Sequence, residues 1–356
     1  MCPRRPHLIM ELMDPLIQLT LVRLREFWRE PEAVFWVFVF PILLAAGLGL
    51  AFRNRPAEVS TIAVVSGAHG SDELVRALKM NRALTVSVLD SAEAARRLRT
   101  GQVALVASSG ASGSVEYRYD DTRPEARTAR MEVDAAVQRA AGRGDPVTVT
   151  ERQVREPGSR YIDFVIPGLL GMNLMGSGIW GIGFGIVDAR KKKLLKRLVA
   201  TPMSKAQYLL SFMLSRLTLL VVEVATLVGF GALVFGVPLR GSLVELGVVC
   251  FVASLSFGAL GLLVASRVRT MEGASGLMNL VMLPMWICSG VFFSASNFPA
   301  AIQPFVQALP LTAVNDALRA NMLEGANLSA IGGEMGVIAA WLTVSFVLAL
   351  RLFRWR

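Results

Sequence analysis

Glu223 falls in the middle of an apolar run, "LTLLVVEVATLVGF". A carboxylate in hydrocarbon is costly unless it faces a wet cavity or a partner. Two roles stay open for it: a cation-attracting group on a translocation path, or a protonated acid hydrogen-bonded to a neighbouring helix. Asn173 and Asn279, also inside apolar runs, are weaker candidates for the same path. "GSGIWG" (Gly176 to Gly181) has the G-x-G-x-x-G spacing, but it lies inside an apolar run and does not follow a strand. Close helix approach is the better use of those glycines. There is no G-x-x-x-x-G-K-[ST], no H-E-x-x-H and no metal-spaced His/Cys set, and the chain has only two histidines. The expectation is a chain with no catalytic site and no metal site.

A second cluster is basic. "DARKKKLLKRLVATPMSK" (Asp188 to Lys205) carries seven cations between two apolar runs. Plain charge anchoring at a membrane surface would explain it. The continuation "LLKRLVATPMSKAQYLL" is longer than a turn needs and is amphipathic, which predicts a helix along the membrane surface followed by an elbow at Pro202.

The elements that hold these residues are membrane-spanning. Of 356 residues, 53% are hydrophobic and 18% charged, too apolar for an ordinary soluble domain. A bilayer core of about 30 Å needs about 20 apolar residues. Six runs qualify: Val34–Phe52, Phe164–Val187, Leu209–Val237, Leu243–Ser266, Gly273–Phe293 and Gly333–Leu350. The net charge of +10 would suggest nucleic acid in a soluble chain. Here many cations sit at the ends of the runs, so anionic lipid is the expected partner and nucleic acid is not. Three cysteines give no disulfide framework, and the first run is too long and too late for a cleavable signal peptide.

Cations also set the orientation. Arg4, Arg5, Arg23, Arg25 and Arg29 precede the first run, the basic island follows the second, Arg267 and Arg269 follow the fourth, and Arg351, Arg354 and Arg356 end the chain. Lys/Arg-rich short loops stay cytoplasmic. Six spans with both termini inside satisfy this pattern. Residues 1–33 are expected as a cytoplasmic amphipathic helix, with Ile17, Leu21, Leu24 and Trp28 on one face. Such a helix lies in the membrane interface or packs on a partner.

Residues 56–160 lack any spanning run. "TIAVVS", "LTVSVL", "VALVAS" and "SVEYRYD" predict strands, and helical patterns between them give the order β-α-β-α-β-β-α. Asp90 and Glu93 predict a capping box, and Gly101 the stop, of the second helix. The expectation is an extracytoplasmic α/β domain serving as a gate or docking platform. The stretch 296–325 predicts two short helices that break near Pro310 and re-enter the outer membrane face. The fold class is therefore a polytopic α-helical membrane protein, with six transmembrane helices (34–52, then five within 164–352) and an inserted α/β domain.

Three stretches carry a family likeness: "REFWREPEAVFWVFVFPILL", "LLKRLVATPMSKAQYLLSFMLSR" and "LPMWICSGVFFSASNFPAAIQPFVQALPLTAVNDALRANMLEG". With them the whole chain resembles the type-2 permeases of ATP-binding-cassette (ABC) transporters, in the bacterial branch with a large loop after the first span. The resemblance implies a multi-pass protein of the bacterial inner membrane, a second permease protomer (homodimer or paralogue) and a separate ATPase subunit that binds ATP and Mg. It implies that 190–205 is the coupling helix, with Arg190, Lys191, Lys192, Lys193, Leu194, Leu195, Lys196, Arg197 and Pro202 at the ATPase contact. It further implies export of a drug, antibiotic or lipid, with a periplasmic adaptor as a possible partner. Many members carry acidic residues before the "TP" pair, whereas this chain has "DARKKKLLKRL" with Asp188 as its one acid. A non-transporting sensor or scaffold with a ligand-sensing outer domain is the alternative from another class. An ion-driven transporter is a third, disfavoured by the scarcity of acids in the spans.

Overall fold

The computed structural model describes residues 7–53, 59–67, 70–110, 114–144, 157–192, 205–268 and 270–352. The first elements are α1 (His7–Arg29), α2 (Pro31–Val34), a π-helical stretch Phe35–Val39 and α3 (Phe40–Arg53). Next come β1 (Ser60–Val65), α4 (Ser71–Lys79), β2 (Leu84–Leu89), α5 (Ser91–Arg99), β3 (Leu105–Ser109), β4 (Val115–Tyr119) and α6 (Pro124–Ala140). The remainder is α7 (Tyr161–Lys191), α8 (Lys205–Phe235), α9 (Leu243–Ala265), α10 (Met271–Cys288), α11 (Gln303–Ala308), α12 (Pro310–Arg319) and α13 (Gly332–Leu352). These form two compact units, one over 54–153 and one from 1–53 with 154–356.

The smaller unit is a four-stranded sheet in the order β2-β1-β3-β4. β1 runs parallel to β2 and β3, and β4 is antiparallel to β3. Strand alternation sends Ile62, Val64, Leu105 and Ala107 toward Leu78 of α4 and Val133 of α6. Ala63 and Val106 point the other way, onto Ala94 of α5. Successive right-handed crossovers that move in opposite directions along the sheet put α4 and α5 on opposite faces. Only half of the expected capping box forms. Asp90 Oδ1 accepts from the Glu93 backbone N–H at 2.7 Å, while the Glu93 carboxylate turns instead to Arg96 and Arg97. Two guanidiniums on the same helix outcompete a single backbone N–H for that carboxylate.

Five helices of the larger unit are long and apolar enough to cross a membrane: Pro31–Phe52, Tyr161–Lys191, Leu214–Phe235, Leu243–Ala265 and Gly332–Leu352. The sixth expected span, Gly273–Phe293, is not among these helices. The run Gly273–Phe293 forms only the 18-residue α10, which contains Glu272, Asn279 and Pro284 and ends before Gly290 at φ +70°. The chain is a multi-pass membrane protein on these five helices alone.

α7 is the axis of this unit, packing against α3, α8, α9, α10 and α12. Its glycines make that possible. A Cβ on Gly178 would lie 2.8 Å from Phe257 Cβ, and one on Gly171 would lie 2.1 Å from Asn315 Oδ1. Small residues let helices approach where lipid supplies no hydrophobic drive between them.

The boundary expected at 160 moves to 153. Residues 157–160 belong to the larger unit because Arg160 caps α8: its Nη1 donates to Phe235 O at 2.8 Å and its Nη2 to Gly236 O at 3.0 Å. Two short helices, α11 and α12, occupy the 296–325 stretch and break at Leu309, held extended by Pro310 after it. α1 packs on α8, with Arg23 Nε donating to Ser211 Oγ at 3.1 Å. Ile17, Leu21 and Trp28 of its apolar face remain exposed. α1 ends at Arg29, and after the Glu30–Pro31 turn Trp28 stacks on Phe38 with centroids 5.6 Å apart.

Candidate functional site

One group of polar side chains inside the larger unit assembles around Glu223. Arg216 and Glu223 are seven residues apart on α8, two helical turns, so they share a face. Arg216 Nη1 lies 2.7 Å from Glu223 Oε1, and the two side chains are 14% and 0% exposed. Arg216 Nη2 donates to Glu223 Oε2 at 3.2 Å and also to Ser177 Oγ of α7. The Ser177 hydroxyl has two acceptors for its one proton, Glu223 Oε2 at 3.0 Å and Asn173 O at 2.7 Å. Asn173 Nδ2 donates in turn to Val37 O at 3.1 Å, within the π-helical stretch. A continuous polar chain thus joins the first apolar helix to α7 and α8.

Glu223 does not stand alone in its run: Arg216 pairs with it and Ser177 of α7 bonds to it. Arg216 already neutralises it, and a buried charge is tolerable when paired and hydrogen-bonded. Asn173 and Glu223 are brought together through Ser177. Asn279 is not: it lies on the exposed side of α10, in the same stretch as exposed Leu280. Sequence reasoning missed Arg216 and Ser177, although the Arg-to-Glu spacing of seven residues within one run was the available signal. What the arrangement can do is mechanical. Displacing α7 against α8 must break the charge-assisted hydrogen bonds of Ser177, and displacing it against the π-helical stretch must break the Asn173–Val37 hydrogen bond.

The basic stretch begins on α7. Arg190 and Lys191 are the last residues of that helix, Lys192 is its C-cap, and Lys193, Leu194, Leu195, Lys196, Arg197 and Pro202 lie outside the described residues. Lys191 and Lys192 are exposed. Lys192 Nζ pairs with Asp188 Oδ2 at 2.8 Å. That hydrogen bond and the Asp188 charge raise the ammonium above its ordinary value, and the fields of Glu26 and Glu30 add to the shift. Arg190 is half-buried and turns away, with Nη1 donating to Ala265 O at 3.1 Å and to Val268 O at 2.7 Å.

A third polar cluster gathers the ends of α7, α10 and α12. Asn315 Nδ2 donates to Ser289 O at 2.7 Å, Arg319 Nη2 to Gly290 O, and Tyr161 OH to Phe292 O at 2.9 Å. The Arg319 guanidinium also lies over the Phe164 ring, 3.7 Å from its centroid. These donors satisfy carbonyls of the chain that follows the C-terminus of α10. Among the described residues no group of three or more His, Cys, Asp or Glu side chains could hold a metal ion.

Comparison with known proteins fits a membrane subunit. Over 183 residues the chain is 30% identical to ABC transporter G family member 20 of Dictyostelium discoideum, covering 51% of this chain and 25% of that protein. Over 169 residues it is 24% identical to the linearmycin resistance permease protein LnrN of Bacillus subtilis, covering 48% of this chain and 44% of that protein. Over 108 residues it is 31% identical to nodulation protein J of Rhizobium meliloti, covering 30% of this chain and 41% of that protein. The chain therefore spans between a quarter and less than half of each relative's length. Residues 32–351 match the family described as ABC-2 family transporter protein, which takes in both sides of the Arg216–Glu223 joint and all the apolar helices. The chain belongs to the ABC-2 family of transporter proteins and is a membrane-spanning permease of that family.

Proposed function

We propose that this permease is the membrane half of an ATP-driven exporter, moved by a separate ATPase subunit that binds ATP and Mg. Membership of the ABC-2 family over residues 32–351 carries this reading. No nucleotide-binding motif occurs in the sequence, and in this reading the energy comes from a partner. The partner contacts the basic stretch 190–205 at the cytoplasmic face. A second protomer, identical or paralogous, completes the path. Asn279 on the open side of α10 fits a path between protomers. Asn173 and Glu223, tied to their own chain, act as a joint beside it.

In this reading α10 is the sixth span, both termini are cytoplasmic, and the α/β unit lies outside a bacterial inner membrane, available to a periplasmic adaptor. Cations at the ends of the spans bind anionic lipid. The cargo is hydrophobic or amphiphilic, of the drug, antibiotic or lipid class. The apolar helices and the likeness to a permease named for linearmycin resistance support that class.

Co-purification with the candidate ATPase, followed by ATP hydrolysis measured in liposomes, tests the proposal. The Lys191/Lys192/Lys193→Glu variant is expected to lose the ATPase and its cargo-stimulated hydrolysis. Retention of both by the charge-reversed chain would remove the basic stretch from the coupling contact.

A further inference from the structure

We infer that Arg190 is a positioning residue that ties α7 to α9, so that the two helices move as one body, and that it is not among the cations offered to the ATPase. The inference rests on reading the basic stretch as the ATPase contact, and it narrows that contact to the cations after Arg190.

Three observations carry it. First, Gly183, Val187 and Arg190 succeed one another at helical spacing on a single side of α7. That side lies where α7 meets both α10 and α9: a Cβ on Gly183 would run into the Met278 side chain of α10 and sit 3.4 Å from Gly261 O of α9. Higher on the same pair of helices, a Cβ on Gly261 would sit 2.7 Å from Ile179 O. The two backbones are in near-contact there, with little room to slide.

Second, Arg190 extends this contact to the helix ends. Its Nη1 reaches Ala265 O, the last residue of α9, and Val268 O just beyond. Carbonyls at a helix C-terminus lack intrahelical donors, and a cation there is favoured by the helix dipole. Ser266 Oγ takes the neighbouring Leu263 O at 2.7 Å, which leaves Ala265 O for the guanidinium.

Third, the next two cations behave differently. Lys191 and Lys192 are exposed, and Lys192 is paired within α7. A push delivered to those lysines reaches α9 through Arg190, and through α9 it reaches α13, which packs along it. The mechanical input is thereby spread over a helix pair and is not confined to α7.

The test uses the full chain co-expressed with its candidate ATPase, comparing Arg190→Ala, Arg190→Lys and Lys191→Ala/Lys192→Ala. Arg190→Ala is expected to keep the ATPase bound, while amide exchange at Val264–Val268 rises about 10- to 100-fold, as for loss of a charge-assisted hydrogen bond. Cargo-stimulated ATP hydrolysis is expected to fall about 2- to 30-fold, the range for an interrupted coupling contact. Arg190→Lys keeps the charge without the planar fork and should fall between parent and Arg190→Ala. The lysine double variant should lose the ATPase with exchange at Val264–Val268 unchanged. Loss of the ATPase from Arg190→Ala, unchanged exchange at 264–268, or unaltered stimulation would each overturn the inference. If the parent chain itself retains no ATPase, the functional reading fails, and the exchange measurement alone decides whether Arg190 ties the two helices.

Discussion

Arg216 reaches two turns along its own helix to meet Glu223, Nη1 to Oε1 at 2.7 Å, in an environment that leaves the carboxylate without solvent. Removing one member of such a pair strands the other charge, at a cost of about 3–5 kcal/mol. Glu223→Leu and Arg216→Met should each destabilise the protein by that order. The double variant Arg216→Met/Glu223→Leu should recover most of the loss. Reversible unfolding in mixed micelles gives the cycle, and additive single effects would show that the two charges are not coupled.

Glycines on α7 should differ sharply by position. Gly171→Ala drives a methyl group to 2.1 Å from Asn315 Oδ1, and Asn315 is held by its bond to Ser289 O. Overpacking there should cost about 1–3 kcal/mol. Gly181→Ala meets nothing within 4 Å and should gain up to about 1 kcal/mol from helix propensity. Thermal denaturation of the two purified variants separates them, and equal midpoints would contradict the close packing of α7 on α12.

Arg160 is held by Asp163 through Nε at 2.9 Å and Nη2 at 2.7 Å while it caps the end of α8. Arg160→Ala should speed amide exchange in the last turn of α8, for a loss of about 1.5–3 kcal/mol. Asp163→Asn keeps the size but lacks the charge that orients the guanidinium, so it should produce part of the same effect. Exchange unchanged in both variants would exclude the cap.

Glu93 has its carboxyl lowered from an ordinary 4.5 to about 2 by hydrogen bonds from Arg96 first and Arg97 second. Because the folded value is depressed, the contribution to α5 is complete above about 4.5 and disappears as pH falls through about 2. An NMR titration of Glu93 should show the low midpoint, and Arg96→Ala should raise it. A midpoint near 4.5 in the parent chain would rule out the pairing.

Much of this architecture is legible in the letters of the chain, and the failures have physical causes. The strands Ser60–Val65 and Leu84–Leu89 coincide with β-branched runs, since sheet interiors select those side chains. Long apolar runs are legible because lipid imposes a length. The length of α10 is overestimated because a window of apolar residues does not show where Gly290 stops the helix. Arg216 is invisible to hydropathy for the opposite reason: one cation is diluted by a long run. Arg319 counts in the sequence only as a lone charge in an outer loop, yet it is half-buried over Phe164 and bonded to Phe164 O at 3.3 Å. No local pattern announces a contact that spans 155 positions.

The π-helical stretch Phe35–Val39 has a bearing on how the first apolar helix could have arisen. Its wider turn accommodates one surplus amino acid without rotating the helix beyond it. Wound as an ordinary α-helix, the same letters would swing everything after Val39 by about 100°. Ala45, now sealed against the protein, would leave the interior, and the outward Leu43 would be carried round toward it. A one-residue deletion inside 35–39 should therefore keep Ala45 inward while depriving Asn173 of its carbonyl. The helix would keep its bearing and lose its tether.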